Sequence, residues 1–260
     1  MHLSPTVGDP SVNAPILYCG DTTLDTDAAY LAALLTLGGF EFDYCPSDRA
    51  TEASAVQDRR LVILSDYPSA RMDAATQRQL VTSVKAGTNL LMIGGWESFH
   101  GLGGDWDATL VAEILPVVMQ ATDDRLNCDH PALLRQVGRH PAADGLPWSE
   151  RAPYVGGFNR VQARTQSLVV LEADRVRPRC VAGVWNATLV ETHPLLVVGQ
   201  HGTGRTAALA TDVAPHWVGG FVDWGDDRVT GHARESKQVE VGSLYARFWN
   251  QLLSFMTIQG

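Results

Sequence analysis

Four short apolar runs constrain this chain more than any other feature: ILYCGD (16–21), FEFDYCP (40–46), LVILSD (61–66) and NLLMIGG (89–95). A run such as LVILSD is apolar at nearly every position, which suits a strand covered on both faces. Between the first and second runs, Leu24 to Leu37 carries Leu, Ala and Tyr at helical spacing. Asp25 or Thr26 stands at its start as an N-cap, and Gly38-Gly39 stops it. Before the fourth run, residues 72 to 86 form an amphipathic helix with Leu80, Val81 and Val84 inward and Gly87 at its end. Strand, helix, strand, strand, helix, strand predicts a parallel sheet with helices on both faces. Ligands of such sheets bind beyond the carboxyl ends of the strands. Those ends are Cys19-Gly20-Asp21, Ser65-Asp66-Tyr67 and Gly94-Gly95-Trp96-Glu97-Ser98.

The pattern changes after a short helix near Ala108 to Ile114. From Pro116 to about Thr192 the chain is rich in Pro, Gly and β-type runs (RVQAR, SLVVLEA, CVAGVW), which predict a strand-rich extension of the sheet or a small subdomain. HPLLVVGQHGTGRTAALATD (193–212) reads as a hairpin turning at His201-Gly202-Thr203-Gly204. Residues 218–241, rich in Gly and charge, read as a mobile loop. SLYARFWNQLLSFM closes the chain as a helix with Leu244, Phe248, Leu252 and Phe255 on one stripe. The expected organisation is a loose arm over residues 1–14 and one domain over 15–260.

Charge narrows the function. With a net charge of −9 and no run of basic residues, the 260-residue chain lacks the clustered positive surface that nucleic-acid binding requires. No apolar run approaches the roughly 18 residues that span a bilayer, and MHLSPTVGDPSVNAP lacks the layout of a signal peptide. Cys19, Cys45, Cys128 and Cys180 are widely spaced without CxxC or CxxH pairing. A cytoplasmic protein with reduced thiols, no metal centre and no cofactor is therefore expected.

Several residues are candidates for chemistry, each with an ordinary alternative. Glu97, with Asp21 and Asp66 nearby, suits a general base or a cation ligand; otherwise its carboxylate serves the backbone N–H groups of the Gly-rich loop that follows. Ser98 is a candidate nucleophile, although G-x-S-x-G is absent and His100 is only two residues away. The alternative is a turn or cap serine. Cys19 suits redox use or a small buried hydrophobe. His201, His216 and Asp212 offer metal-ligand chemistry at no standard spacing. Gly101-Leu102-Gly103-Gly104 lacks the phosphate-loop signature. Trp96, Phe99 and Trp106 suit the wall of an apolar pocket or an interface.

Four blocks, taken together, resemble a known family. They are LLMIGGWESFHGLGGDWDATLVAEILPV, then GLPW with VGGFNRVQAR, then HPLLVVGQHGTGRTAALATDVAPHW, and finally YARFWNQLLSF. In their order and spacing the sequence is similar to the putative glutamine amidotransferase family, a branch of the class I glutamine amidotransferase-like superfamily. The resemblance implies a flavodoxin-like three-layer α/β sandwich, with a mainly parallel central sheet and strand-rich additions in the second half. It also implies that the turn after Ile93 matches the nucleophile elbow of the true amidotransferases, where a Cys attacks the glutamine amide with the help of a later His and Glu. Here the turn reads Gly94-Gly95-Trp96-Glu97-Ser98 without a Cys, and none of His193, His201, His216 and His232 is followed two residues later by Glu.

The expectation is thus a non-glutaminase that binds a small ligand or a protein partner at the strand ends. Asp21, Asp66, Gly94, Gly95 and Trp96 would line the site, with Glu97 and Ser98 as the catalytic candidates. One alternative is a hydrolase or lyase with Glu97 as base, metal-assisted through His201 or His216. Another is a structural module, including a homo-oligomer, that makes contacts through the 218–241 loop and exposed aromatics.

Overall fold

The computed structural model describes residues 14–258; the expected arm lies outside them apart from Ala14. The strands are β1 (Ile16–Gly20), β2 (Phe42–Cys45), β3 (Leu61–Ser65), β4 (Asn89–Ile93), β5 (Val117–Val118), β6 (Arg125–Gln136), β7 (Tyr154–Asn159), β8 (Gln162–Ala163), β9 (Leu168–Val181), β10 (Val184–His201), β11 (Gly204–Leu209), β12 (Arg228–Gly231) and β13 (Val239–Gly242). The α-helices are α1 (Ala28–Leu37), α2 (Ala74–Ala86), α3 (Leu110–Ile114), α4 (Pro215–Val218) and α5 (Ser243–Thr257).

The helix ends follow local chemistry. The Asp73 side chain accepts the Thr76 N–H at 2.7 Å to start α2, and Gly87, at φ +126°, ends it. Thr109 caps α3 through the Ala112 N–H. Helix α1 begins four residues later than its periodicity suggests. Thr23 accepts from the Asp25 N–H and the Thr26 hydroxyl, which holds that stretch in turns.

Nine strands form one sheet in the order β2-β1-β3-β4-β11-β10-β9-β6-β7. The first five are parallel to one another, and every pairing from β11 onward to β7 is antiparallel. The chain moves outward one way from β1 through α1 to β2, and the other way from β3 through α2 to β4. Right-handed crossovers in opposite directions put those helices on opposite faces. They also leave a topological switch point between β1 and β3, where α/β sheets open a crevice at the strand ends. All residues of β1, β3 and β4 are buried, as their unbroken apolar runs predict. This is the flavodoxin-like α/β sandwich with added antiparallel strands.

Three regions depart from the sequence reading. Residues 218–241 are not an unstructured loop. They hold a 3-10 turn, β12 and the start of β13, with Phe221, Val222, Trp224 and Val239 buried. Their Gly and charge content masked a small set of apolar anchors. In α5 the buried stripe is Tyr245, Phe248, Trp249, Leu252 and Met256, while Leu244 and Phe255 are only half-buried. The CVAGVW run is the tip of a long hairpin: β6 pairs with β9 as far as Arg175, and residues 176–190 project beyond it as two strands alone. Among the described residues no helix is long and apolar enough to cross a membrane.

Candidate functional site

Strand geometry brings three aspartates to one end of the parallel sheet. Gly20 and Ser65 are register partners, so Asp21 and Asp66 follow side by side at the switch point. Both leave their strands in the left-handed region, at φ +29° and +47°. Such φ values are uncommon away from Gly, and Asp tolerates them better than most side chains. Ile93 pairs with both Ser65 and Leu209, which sets the β4 turn between Asp66 and the segment Ala210-Thr211-Asp212.

The β4 turn is built around Asp66. One Asp66 carboxylate oxygen accepts the Glu97 N–H at 2.7 Å, and the Asp66 N–H donates to Ser98 Oγ at 3.0 Å. The carboxylate lies so close over Gly95 that a Cβ there would come within 2.2 Å of it. Only glycine permits this approach. On the far side, Asn159 accepts the Gly95 N–H at 3.0 Å and donates to both Gly95 O and Asp124. The Asp124 carboxylate also accepts the His100 and Gly101 N–H groups. This buried network fixes the loop from Gly94 to Gly104 as a chain of turns. The next helix is α3, so no helix N-terminus starts at the turn that matches the elbow.

Among the described residues, four buried polar atoms here have no hydrogen-bond partner: Tyr18 Oη, Asp21 Oδ2, Ser65 Oγ and Asp212 Oδ2. Tyr18 is fully buried and Asp212 is 2% exposed. Asp212 Oδ1 accepts the Val213 and Ala214 N–H groups, and His216 Nε2 stands 3.5 Å from Oδ2. Unpartnered polar groups at such depth are rare and costly.

The electrostatics agree with this crowding. Burial, then the charges of Asp66 and Asp212, push Asp21 up to about 9. Burial, then the Asp212 charge, push Asp66 up to about 8 against the opposing Glu97 N–H. Burial carries Asp212 to about 7 despite its two backbone donors. Tyr18 is raised by burial and then by Asp21, with Asp212 and Asp66 adding to it, so its hydroxyl faces the same carboxyls.

The sequence candidates separate accordingly. Asp21, Asp66, Gly94 and Gly95 come together. Glu97 meets Asp66 through its backbone N–H, while its half-buried side chain is raised by burial and held back by Arg71. Ser98 is buried with its oxygen engaged by Asp66, and His100 is paired with Asp107 at 2.8 Å, so the two form no nucleophile–base couple. Trp96 is 45% exposed beneath the Arg125 guanidinium, 4.4 Å from the ring centroid. His201 ends β10 at the hairpin turn, at the opposite end of β11 from Asp212, so it does not join His216. Among the described residues no group of three or more His, Cys, Asp or Glu is spaced to hold a metal ion. Cys19 is a buried thiol 3.4 Å from Thr51 Oγ1.

Sequence reasoning missed Tyr18, Asp124 and Asn159, and it set Asp212 apart from Asp21 and Asp66. A signal was available: RTAALATD ends in Asp just as ILYCGD and LVILSD do. Reading it as the second strand of a hairpin hid its parallel place beside β4.

The sequence profile of the putative glutamine amidotransferase family matches residues 19–257. No curated protein matches the chain. Among solved structures, a cytoplasmic protein of Salmonella typhimurium is similar at 24% identity, with a TM-score of 0.70 over 93% of this chain and 98% of its own. A second cytoplasmic protein, from Salmonella typhimurium LT2, is similar at 23% identity, with a TM-score of 0.70 and the same coverage. At these identities the likeness is one of fold.

Proposed function

We propose, from the premise that the chain belongs to the putative glutamine amidotransferase family, that it is a member without glutaminase chemistry that binds a small cationic ligand where the strands end. One observation carries this reading: among the described residues Tyr18, Asp21, Ser65 and Asp212, on the strands and strand ends around Asp66, each keep a buried oxygen with no hydrogen-bond partner. A family glutaminase needs a thiolate at the β4 turn, and that turn offers Trp96, Glu97 and Ser98 instead. What the site does supply is acceptor oxygens crowded against like charges. An ammonium group donates to several acceptors at once and relieves their mutual repulsion. It also needs no fixed coordination geometry, which favours an amine over a metal ion.

Binding of this kind displaces protons. The carboxyls of Asp21 and Asp66 sit at about 9 and 8, and the cation favours their charged forms, so affinity rises with pH until they ionise unaided. Calorimetric titration with putrescine at pH 6 and pH 9, in buffers of different ionisation heat, tests the proposal. Saturable binding that strengthens at pH 9 and releases protons is expected, and it should be lost in Asp66→Asn. No saturable heat at pH 9 would overturn it. In the same preparation, glutamate release from glutamine should stay at the blank rate.

A second reading, a hydrolase or lyase with Glu97 as general base, has one observation in its favour. The Glu97 side chain is half-buried at the turn and raised by that burial. Glu97→Gln separates the two readings, because it should leave putrescine affinity within about twofold while abolishing any base-dependent turnover.

A further inference from the structure

Strands β9 and β10 continue past the sheet as a two-stranded arm. Its register pairs Leu189 with Val176, Ala187 with Pro178 and Trp185 with Cys180, and these six side chains share one face. The intervening pairs, Thr188 with Arg177 and Asn186 with Arg179, lie on the other face. One face is therefore wholly apolar, while the other carries the two arginines with Thr188 and Asn186 and ends at the tip in the exposed pair Val184 and Val181. Both stand in solvent, with Trp185 71% and Leu189 58% exposed. A lone two-stranded ribbon is marginal in water, and a contiguous apolar patch of this kind marks a contact surface.

Charge identifies what covers it. Residues 176–190 contain Arg177 and Arg179 and no acidic residue, whereas the chain carries −9 overall, which leaves −11 for the rest. At the arm's base, Asp129, Glu172, Asp174 and Glu191 outnumber Arg135 and Arg175. The tip is thus net positive and the base net negative. Two copies laid side by side in opposite directions would set each basic tip against the other's acidic base.

We propose that a second copy of this chain covers the arm, the two apolar faces packing antiparallel about a two-fold axis. An isologous contact needs one self-complementary patch, and the uncharged face supplies it while the arginines point away from it. The acidic bodies repel one another, and the arm holds them apart while joining them.

Light scattering coupled to size-exclusion chromatography tests this. The wild-type protein is expected at twice the chain mass, and the double variant Trp185→Glu with Leu189→Glu at the chain mass with an unchanged near-ultraviolet spectrum. Arg177→Glu with Arg179→Glu, on the far face of the ribbon, should raise the dissociation constant about threefold or more at low ionic strength and less at high salt, through long-range repulsion from the partner's acidic base. A wild-type chain mass at every concentration would overturn the proposal. So would a dimer that persists in the double Glu variant.

Discussion

At the strand ends, some carboxyl and hydroxyl oxygens are buried with no hydrogen-bond partner among the described residues; on the arm, a Trp and a Leu stand in water. Each region departs from the usual pattern of burial, and in opposite directions. The strand ends are held by surroundings that leave them no freedom, since the Asp66 carboxylate sits over Gly95 and the Asn159–Asp124 network pins the loop behind it. The arm is held by its own ladder alone. The first arrangement keeps carboxyls where their charged forms are disfavoured, and the second leaves favourable contact area unused. Each is the feature on which a partner is proposed, a small cation for one and a second copy of the chain for the other.

The sharpest way to break this contrast is to unpin the strand ends. Asn159→Ala removes the acceptor for the Gly95 N–H and the donors to Gly95 O and Asp124, all of them buried. Leaving such groups unpaired should cost about 3 kcal/mol or more, measured by urea unfolding. A loss under about 1 kcal/mol would mean that the loop is held elsewhere.

Next in size is the pH dependence. Asp66 and Asp212 are pushed up to about 8 and 7 in the folded protein, against about 3.9 for an unfolded aspartate. The folded chain therefore keeps these protons longer. The stability they confer is complete below about pH 4 and declines as pH rises, levelling near 7 for Asp212 and 8 for Asp66; Asp21 extends the window to about 9. Asp66→Asn retains an oxygen for the Glu97 N–H but cannot ionise. It should gain about 2 kcal/mol at pH 8 and flatten the slope, as followed by thermal unfolding from pH 5 to pH 9. Lower stability of the variant at pH 8 would show that the carboxylate is paired rather than stranded.

These two regions were not equally legible in the sequence. Unbroken apolar runs announce β1, β3 and β4, because strands buried on both faces leave no room for polar alternation, and their carboxyl ends locate Asp21 and Asp66. Asp124 and Asn159 gave no such sign. Each reaches the loop from a segment far along the chain, and nothing local to DDRL or GFNR indicates which backbone it will serve. The arm was harder still. CVAGVW looks like one more short β-type run, and only the three-dimensional pairing shows that it is a hairpin tip and that β6 pairs with β9 no further than Arg175. A stretch that is apolar on one face reads as half-buried by pattern alone; whether anything covers it is a property of the assembly.

Ser98 gives a smaller and more diagnostic effect. As a brace it has one task, accepting the Asp66 N–H, and Ser98→Ala should cost about 1 kcal/mol by leaving that donor buried and unpaired. Putrescine affinity should fall only as far as Asp66 shifts, and any catalytic rate should survive. A rate collapse without loss of stability would restore the serine as a nucleophile.

The smallest effect tests the other side of the contrast. Trp185→Ala, studied at dilutions where the chain is a single copy, removes an indole that is 71% exposed on a strand pair with no third strand beside it among the described residues. Its folding free energy should stay within about 0.5 kcal/mol of wild type, while the concentration at which two copies associate rises sharply. Equal losses in both measurements would mean that the arm already packs on its own body, and the surface assigned to a second copy would be occupied from within. Stability unchanged and association weakened is the signature of area held in reserve for a partner, the counterpart on the arm of what is proposed for the carboxyls at the strand ends.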